Sequence, residues 1–313
     1  PGEAPLPIWA RSANIYEVNV RQYTEEGTFG AFEEHLPRLQ EMGVDILWFM
    51  PIFPISETKR KGPLGSYYAI SDFKATNPNF GTMDDFRRLV DRAHELGMYV
   101  ILDWTANHTG WDHPWISEHP EWYTHRNDTI VHALNNDGSP TDWYDVADLN
   151  YDNEEMQQEM ISDLSWWLSE VGIDGYRCDV AHSVPVDFWR KVAPALREVK
   201  PDIFMLAEAE DPPLRNEALF NADYGWSMHH TLNEIGQGKK DVNAIDAQLQ
   251  SQDQRYSAGF PMHFTSNHDE NSWNGTVFER MGEAHKPLAV LTATLEGTPL
   301  IYSGQEEPLE HRL

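Results

Sequence analysis

The sequence predicts an α/β fold of the (β/α)8 TIM-barrel class, and three observations carry that reading. A junction repeats: Glu41-Met42-Gly43-Val44-Asp45, Glu95-Leu96-Gly97-Met98-Tyr99 and Glu170-Val171-Gly172-Ile173-Asp174 each close an amphipathic stretch and open an apolar run. Eight such runs alternate with helix-like stretches along the 313 residues, the rhythm of a parallel sheet covered by helices. Carboxylates stand at or beyond the ends of four runs, as Asp103, Asp179, Glu208 and Asp269. In a closed parallel barrel those ends share one face, where active sites are built.

The elements follow in order. Strands are expected near 15–23, 44–50, 98–103, 174–180, 202–207, 222–228, 262–267 and 299–303, and helices near 29–42, 83–96, 153–170, 186–199, 211–220, 242–251 and 283–296. The second helix shows the grammar best: Thr82 and Asp85 make a start signature, then Phe86, Leu89, Val90, Ala93 and Leu96 fall on one apolar stripe. The glycine at each repeated junction suits a helix C-terminus that needs φ > 0, and the run after it suits a strand buried on both faces. An open doubly wound sheet is the structural alternative, but no Gly-rich phosphate loop follows the first strand.

Residues 108–152 break the rhythm with Gly, Pro, Asp, Asn and the tryptophans Trp111, Trp115, Trp122 and Trp143. A connection that long is usually functional. The expected division is therefore a barrel from 1–107 and 153–313, with 108–152 as a small inserted subdomain protruding between strand three and helix three. The chain stops at Leu313, soon after the eighth run, so the eighth helix is expected to be missing and the barrel to be marginally stable. It starts at Pro1 with no basic cluster and apolar stretch, so no leader peptide is read there.

The 51 acidic residues against 23 basic ones leave a formal charge of −28, which repels nucleic acid and anionic membranes. No apolar run is long enough for a transmembrane helix. Cys178 is the one cysteine and sits inside an apolar run, which excludes an internal disulfide framework and suits a small buried hydrophobe. These features fit a monomer that is secreted or periplasmic, with the cytoplasm left open.

Taken singly, a strand-end Asp is more often a helix cap or a salt-bridge partner. Four polar clusters at four strand ends are not explained that way: Asp103-Trp104-Thr105-Ala106-Asn107-His108, Arg177-Cys178-Asp179, Glu208, and Asn267-His268-Asp269. In this order they resemble the four motif regions of the α-amylase family of glycoside hydrolases. Asp148-Leu149-Asn150 and Asn77-Pro78-Asn79-Phe80-Gly81-Thr82 extend the resemblance, which runs from Tyr16 to Gln305.

The resemblance implies a retaining endo-type hydrolase of α-1,4-glucosidic bonds in starch, glycogen or maltooligosaccharides. Asp179 would be the nucleophile that forms a glycosyl-enzyme, Glu208 the acid and then the base, and Asp269 the stabiliser of the distorted ring. His108 and His268 would hold sugar hydroxyls, and Tyr68 would stack on the cleaved sugar. Asp103 would support Arg177. Glu208 is expected to have a raised pKa and Asp179 to stay ionised beside Arg177.

No cofactor is required for that chemistry. The one metal the resemblance offers is a structural calcium at Asn107 and Asp148, where the excursion meets the barrel. Zinc is not expected, since His108, His113 and the pair His229-His230 lack a third ligand at suitable spacing. Two positions depart from the family's pattern. His182 stands where many members have a Lys on the aglycone side, and Val180 occurs in members that prefer α-1,6 links. An oligosaccharide α-glucosidase, a transglycosylase and a truncated non-catalytic glucan-binding barrel are the alternatives.

Overall fold

Eight parallel strands close on themselves in the computed structural model of the chain, which describes residues 6–313. Residues 1–5, with which the first expected barrel segment begins, lie outside the described residues. The barrel strands are β1 (Ile15–Val18), β2 (Ile46–Phe49), β3 (Tyr99–Thr105), β4 (Gly175–Asp179), β5 (Phe204–Ala207), β6 (Ala222–Tyr224), β7 (Phe260–His263) and β8 (Thr298–Tyr302). Each pairs in parallel with its sequence neighbours, and β8 returns to β1 with Ile15 opposite Leu300. Parallelism puts every carboxyl end on one rim.

Side chains alternate across each strand, and this sorts the core into two shells. Outward-facing residues such as Phe49, Trp104, Tyr176 and Met205 pack beneath the helices. Inward-facing Ile15, Ile46, Ile101, Phe204, Leu206 and Leu300 fill the lower barrel. Two residues further along the same faces, the inner layer turns polar: Glu17, Asp103 and Arg177 are fully buried there beside Trp48 and Tyr224. The fold thus builds a dry floor and sets charges on top of it.

The helices form for local reasons that the sequence states. Thr82 and Asp85 make a reciprocal capping box at the start of Met83–Glu95, which buries Phe86, Leu89, Val90 and Ala93. Gly43, Gly97 and Gly172, the three repeated junction glycines, all take left-handed φ between 79° and 92°. Gly175 is more tightly constrained: at φ 151° a Cβ would stand 1.8 Å from the Phe204 carbonyl oxygen of the adjacent strand. Gly175→Ala should therefore cost on the order of 3 kcal/mol and lower the melting temperature by roughly 6 °C or more. A melt matching wild type would remove this account of the β4–β5 approach.

Several boundaries differ from expectation. The first strand ends at Val18 rather than 23, because the Asn19 side chain accepts the Gln22 N–H and caps a helix at Val20–Tyr23. The expected helix 29–42 is two, Phe29–Glu33 and Leu36–Met42, with Pro37 in the first turn of the second. The expected strand 222–228 stops at Tyr224 and an unanticipated helix, Trp226–Gly236, follows. Helix 153–170 is α-helical over Glu154–Trp166 and continues as a π-turn over Trp167–Val171. The 211–220 helix shrinks to Pro212–Asn216. The run placed at 262–267 is a strand only over Phe260–His263, so Asp269 lies in the loop beyond β7 and not at a strand end. There Asn267 Oδ1 accepts the Glu270 N–H at 2.8 Å and turns the chain.

Within 108–152, His108–Gly110 pairs antiparallel with Val146–Asp148, and a tight hairpin joins His125–Arg126 to Thr129–Ile130. Asn127 and Asp128 supply its two positive φ angles. Trp115 and Trp122 are buried, whereas Trp143 remains open to solvent beside His108. Among the described residues no helix is long and apolar enough to cross a membrane.

Candidate active site

Arg177 is the centre of the carboxyl-end rim. It points inward from β4 and is fully buried, so its charge must be compensated locally. Nη1 donates to Asp103 Oδ1 and to Asp179 Oδ1, both at 2.8 Å, and Nε donates to the Tyr224 hydroxyl at 3.1 Å. Nη2 forms an ion pair with Glu208 Oε2 at 2.9 Å, although the angle falls outside hydrogen-bond geometry. One planar guanidinium thereby fixes the separation of Asp179, the last residue of β4, and Glu208, the residue after β5. Their carboxyls are close enough to share a proton.

Asp103 is held by three partners. Its Oδ2 accepts the Trp48 indole N–H at 3.1 Å and the Tyr68 hydroxyl at 2.9 Å, in addition to the Arg177 contacts on Oδ1. It sits two residues inside the end of β3, opposite Arg177 in register. Tyr68 reaches in from the loop after β2 and lies nearly parallel to the His268 ring, with centroids 5.6 Å apart.

His268 Nε2 is 2.9 Å from the Tyr68 oxygen and 3.4 Å from Asp269 Oδ2. Its Nδ1 contacts Glu17 Oε1. Burial disfavours an imidazolium, but Asp269 and Glu17 outweigh it and raise the His268 pKa to about 10. His108 behaves oppositely: burial lowers it to about 4, so it is neutral, and the Asn107 amide nitrogen lies 3.1 Å from its Nδ1. Asp269 is 40% exposed at its side chain, open to the cleft. His182 is exposed on the rim, where its carbonyl accepts from Asn136 of the excursion.

The protonation pattern of the carboxyl pair reverses the expectation. Burial, reinforced by the charge of Glu208, pushes the Asp179 carboxyl well above its ordinary value despite Arg177. Burial also acts on Glu208, but Arg177 and the backbone N–H of Val180, at 2.8 Å from Oε2, pull it below the ordinary value. The two opposite directions favour the pair's shared proton on Asp179 in the free site. The sequence indicated neither device, because the Arg177 bridge spans two strands. The Val180 amide faces Glu208 only because this β-branched residue adopts φ 37°, ψ 45°, a left-handed conformation that costs about 1–3 kcal/mol.

Asn107 and Asp148, the residues the resemblance marks for calcium, meet where His108 pairs with Asp148. Three of their oxygens are already hydrogen-bonded: Asp148 Oδ1 accepts the Leu134 N–H at 3.1 Å, the Asp148 carbonyl accepts the Thr124 N–H, and the Asn107 carbonyl accepts the Leu149 N–H. A calcium ion takes six to eight oxygens, commonly several of them carboxylate. Among the described residues no group of three or more acidic, His or Cys side chains is arranged to hold a metal ion.

The structure thus gathers Asp179, Glu208, Asp103, Arg177, Tyr68, His268 and Asp269 into one cluster, with His108 at its edge and His182 on the rim. Sequence reasoning missed Glu17, Trp48 and Tyr224. Glu17 had a signal, a lone charge in the apolar run Ile15-Tyr16-Glu17-Val18; the other two read as ordinary core aromatics.

Comparison with known proteins adds kinship to this geometry. The family profile described as alpha amylase, catalytic domain, matches residues 15–311. A curated α-amylase of Haloarcula japonica is 30% identical over 96% of this chain and 45% of its own length. An α-1,4-glucan:maltose-1-phosphate maltosyltransferase of Salinibacter ruber is 32% identical over 97% of this chain and 48% of its own. The chain thus spans about half the length of these curated relatives. Among solved structures, an α-amylase of Lactobacillus plantarum aligns with a TM-score of 0.86 at 37% identity, over 95% of this chain and 72% of that one. A maltogenic α-amylase of Thermotoga neapolitana aligns at 0.87 and 33%, over 98% of this chain and 70% of that one.

Proposed function

This chain belongs to the α-amylase family, and from that premise we propose that it is a retaining enzyme of α-glucans that hydrolyses α-1,4-glucosidic bonds in starch-like polymers or maltooligosaccharides. One observation supports this most strongly: Arg177 grips Asp179 and Glu208 side by side, so both carboxyls address a single point in the cleft. Close carboxyls, about 5–5.5 Å apart, suit attack by one of them on the anomeric carbon, whereas inversion needs room for a water between them.

The steps follow from the residues. When a glycosidic oxygen approaches Glu208, the proton held by Asp179 passes to Glu208, leaving Asp179 as a carboxylate steadied by Arg177. Asp179 then bonds to the anomeric carbon while Glu208 protonates the departing oxygen. The resulting Glu208 carboxylate takes a proton from water, whose oxygen displaces Asp179 and regenerates the shared proton. Asp269, His108 and His268 hold the hydroxyls of the reacting sugar, Tyr68 stacks on its ring, and His182 lies on the aglycone side. No cofactor enters these steps.

Kinship with maltosyltransferases favours a second reading, in which a glucan hydroxyl replaces the water. Incubation with soluble starch, pullulan and isomaltose, with products resolved by size and anomeric form, tests the first reading: short α-anomeric maltooligosaccharides from starch are expected. Early β-anomers would contradict retention. Glucans lengthened from maltose 1-phosphate or from maltotriose would favour transfer. With three oxygens of Asn107 and Asp148 already hydrogen-bonded within the chain, chelation with EDTA is expected to shift the melting temperature by no more than about 1 °C. A large drop restored by calcium would reinstate the ion.

A further inference from the structure

We propose that Glu17 is a positioning residue for the reaction: from β1 it fixes the tautomer, orientation and charge of His268, so that a doubly protonated ring, its Nε2 N–H aimed at the Tyr68 oxygen, stands at the cleft. The inference rests on the functional reading above and extends it to a residue that touches no substrate.

Glu17 is fully buried, and among the described residues its carboxyl has one polar partner, His268, through Oε1, while Oε2 has none. A buried carboxylate with a single partner demands a cation there. On the other side of the ring, Tyr68 has one hydroxyl proton and two claimants, Asp103 Oδ2 at 2.9 Å and His268 Nε2 at 2.9 Å. Asp103 already receives Arg177 and Trp48, the pattern of an ionised carboxylate, so it takes the phenol proton. Nε2 must then donate. With Nδ1 donating to Glu17 and Nε2 donating to the Tyr68 oxygen, both ring nitrogens carry protons.

The charges around the ring agree. Glu17 on β1, Asp103 on β3 and Asp269 in the same loop are acidic, and Arg177 on β4 is the one cation among them. Glu208 after β5 also acts on the ring's charge, Tyr68 and, on β6, Tyr224 stand nearby, and Trp48 packs edge-on against the imidazole. A second cation balances this group. The result is one relay of contacts, Glu17–His268–Tyr68–Asp103–Arg177, ending on the two reacting carboxyls.

The test compares wild type with Glu17→Gln and Glu17→Asp. Gln preserves an acceptor for Nδ1 but removes the charge; Asp retains the charge on a shorter arm. Selective 15N labelling of histidine reads the His268 ring directly in the free protein, and kcat/KM on a 4-nitrophenyl α-maltooligosaccharide is followed from pH 5 to 10. In wild type both His268 nitrogens should stay protonated to about pH 10. In Glu17→Gln the ring should titrate near neutrality, and kcat/KM at pH 8 should fall roughly 10- to 100-fold, the size expected for an outer partner of a binding side chain. The deficit should shrink towards pH 6, and Glu17→Asp should recover most of it.

A neutral His268 at pH 8 in wild type, or a Glu17→Gln pH profile that superimposes on wild type, overturns the inference. If the ring titrates as expected but no α-glucan is turned over by any form, the pairing stands and the functional reading falls. Should Glu17→Gln not fold, the wild-type titration and the Glu17→Asp profile still decide.

Discussion

Asp179→Asn is expected to abolish turnover while leaving the barrel intact. Removing a covalent nucleophile should lower kcat/KM by about 10⁴-fold or more, since the remaining groups only bind and polarise. The same change should not destabilise the protein. Burial holds the Asp179 carboxyl protonated in the free site, and an amide of the same shape imposes no charge on that buried position. The melting temperature should stay level or rise, the usual relation between a strained charge and function. Both readouts matter together: a dead and unfolded variant says nothing about chemistry. Residual activity within 100-fold of wild type, in a folded variant, would remove Asp179 from the nucleophile's role.

Replacing Arg177 should produce the largest stability change. Its guanidinium contacts three buried acidic side chains, Asp103, Asp179 and Glu208. Breaking one buried pair costs about 3–5 kcal/mol because the partner's charge is left uncompensated, and here two partners, Asp103 and Glu208, are left beside the protonated Asp179. Arg177→Met should therefore lose at least that much, with activity lost as well. The loss must depend on pH. Without the guanidinium these carboxyls have folded-state pKa values above their unfolded values near 4, so the unfolded chain releases their protons first as pH rises. The variant should be most stable near pH 4–5 and weaken towards pH 8. Arg177→Lys should recover part of the stability but not the activity, because an ammonium cannot bridge three acidic side chains in one plane. Equal urea midpoints for Arg177→Met at pH 5 and pH 8 would contradict this picture.

Much of this molecule was legible in its sequence because buried parallel strands and glycine-capped helices leave strong local signals. The repeated Gly43, Gly97 and Gly172 junctions located three helix ends, and the box at Thr82 and Asp85 located a helix start. The helix Trp226–Gly236 was hidden because its buried face mixes His229 and Thr231 with Met228 and Leu232, which blurs the apolar period. At the site, residue identities were readable where motifs concentrate them, as at Asp179 and Asn267-His268-Asp269. The proton's location was not. It depends on Arg177 reaching across to a neighbouring strand's end, and on the left-handed backbone at Val180 aiming an N–H at Glu208. Glu17 shows the same limit: a charge in an apolar run flags itself, but its partner is 251 positions away.

The central claim is that Asp179 attacks an anomeric carbon that Glu208 helps to free. The most direct measurement is to trap that intermediate with a fluorinated α-glucosyl fluoride, whose activated leaving group speeds formation and whose ring fluorine slows release, and then to map the adduct by mass spectrometry of proteolytic peptides. The account predicts one added glycosyl mass on the peptide containing Asp179, absent in Asp179→Asn. A stable adduct on any other residue would contradict it, as would turnover of the fluoride to a β-anomer with no adduct formed.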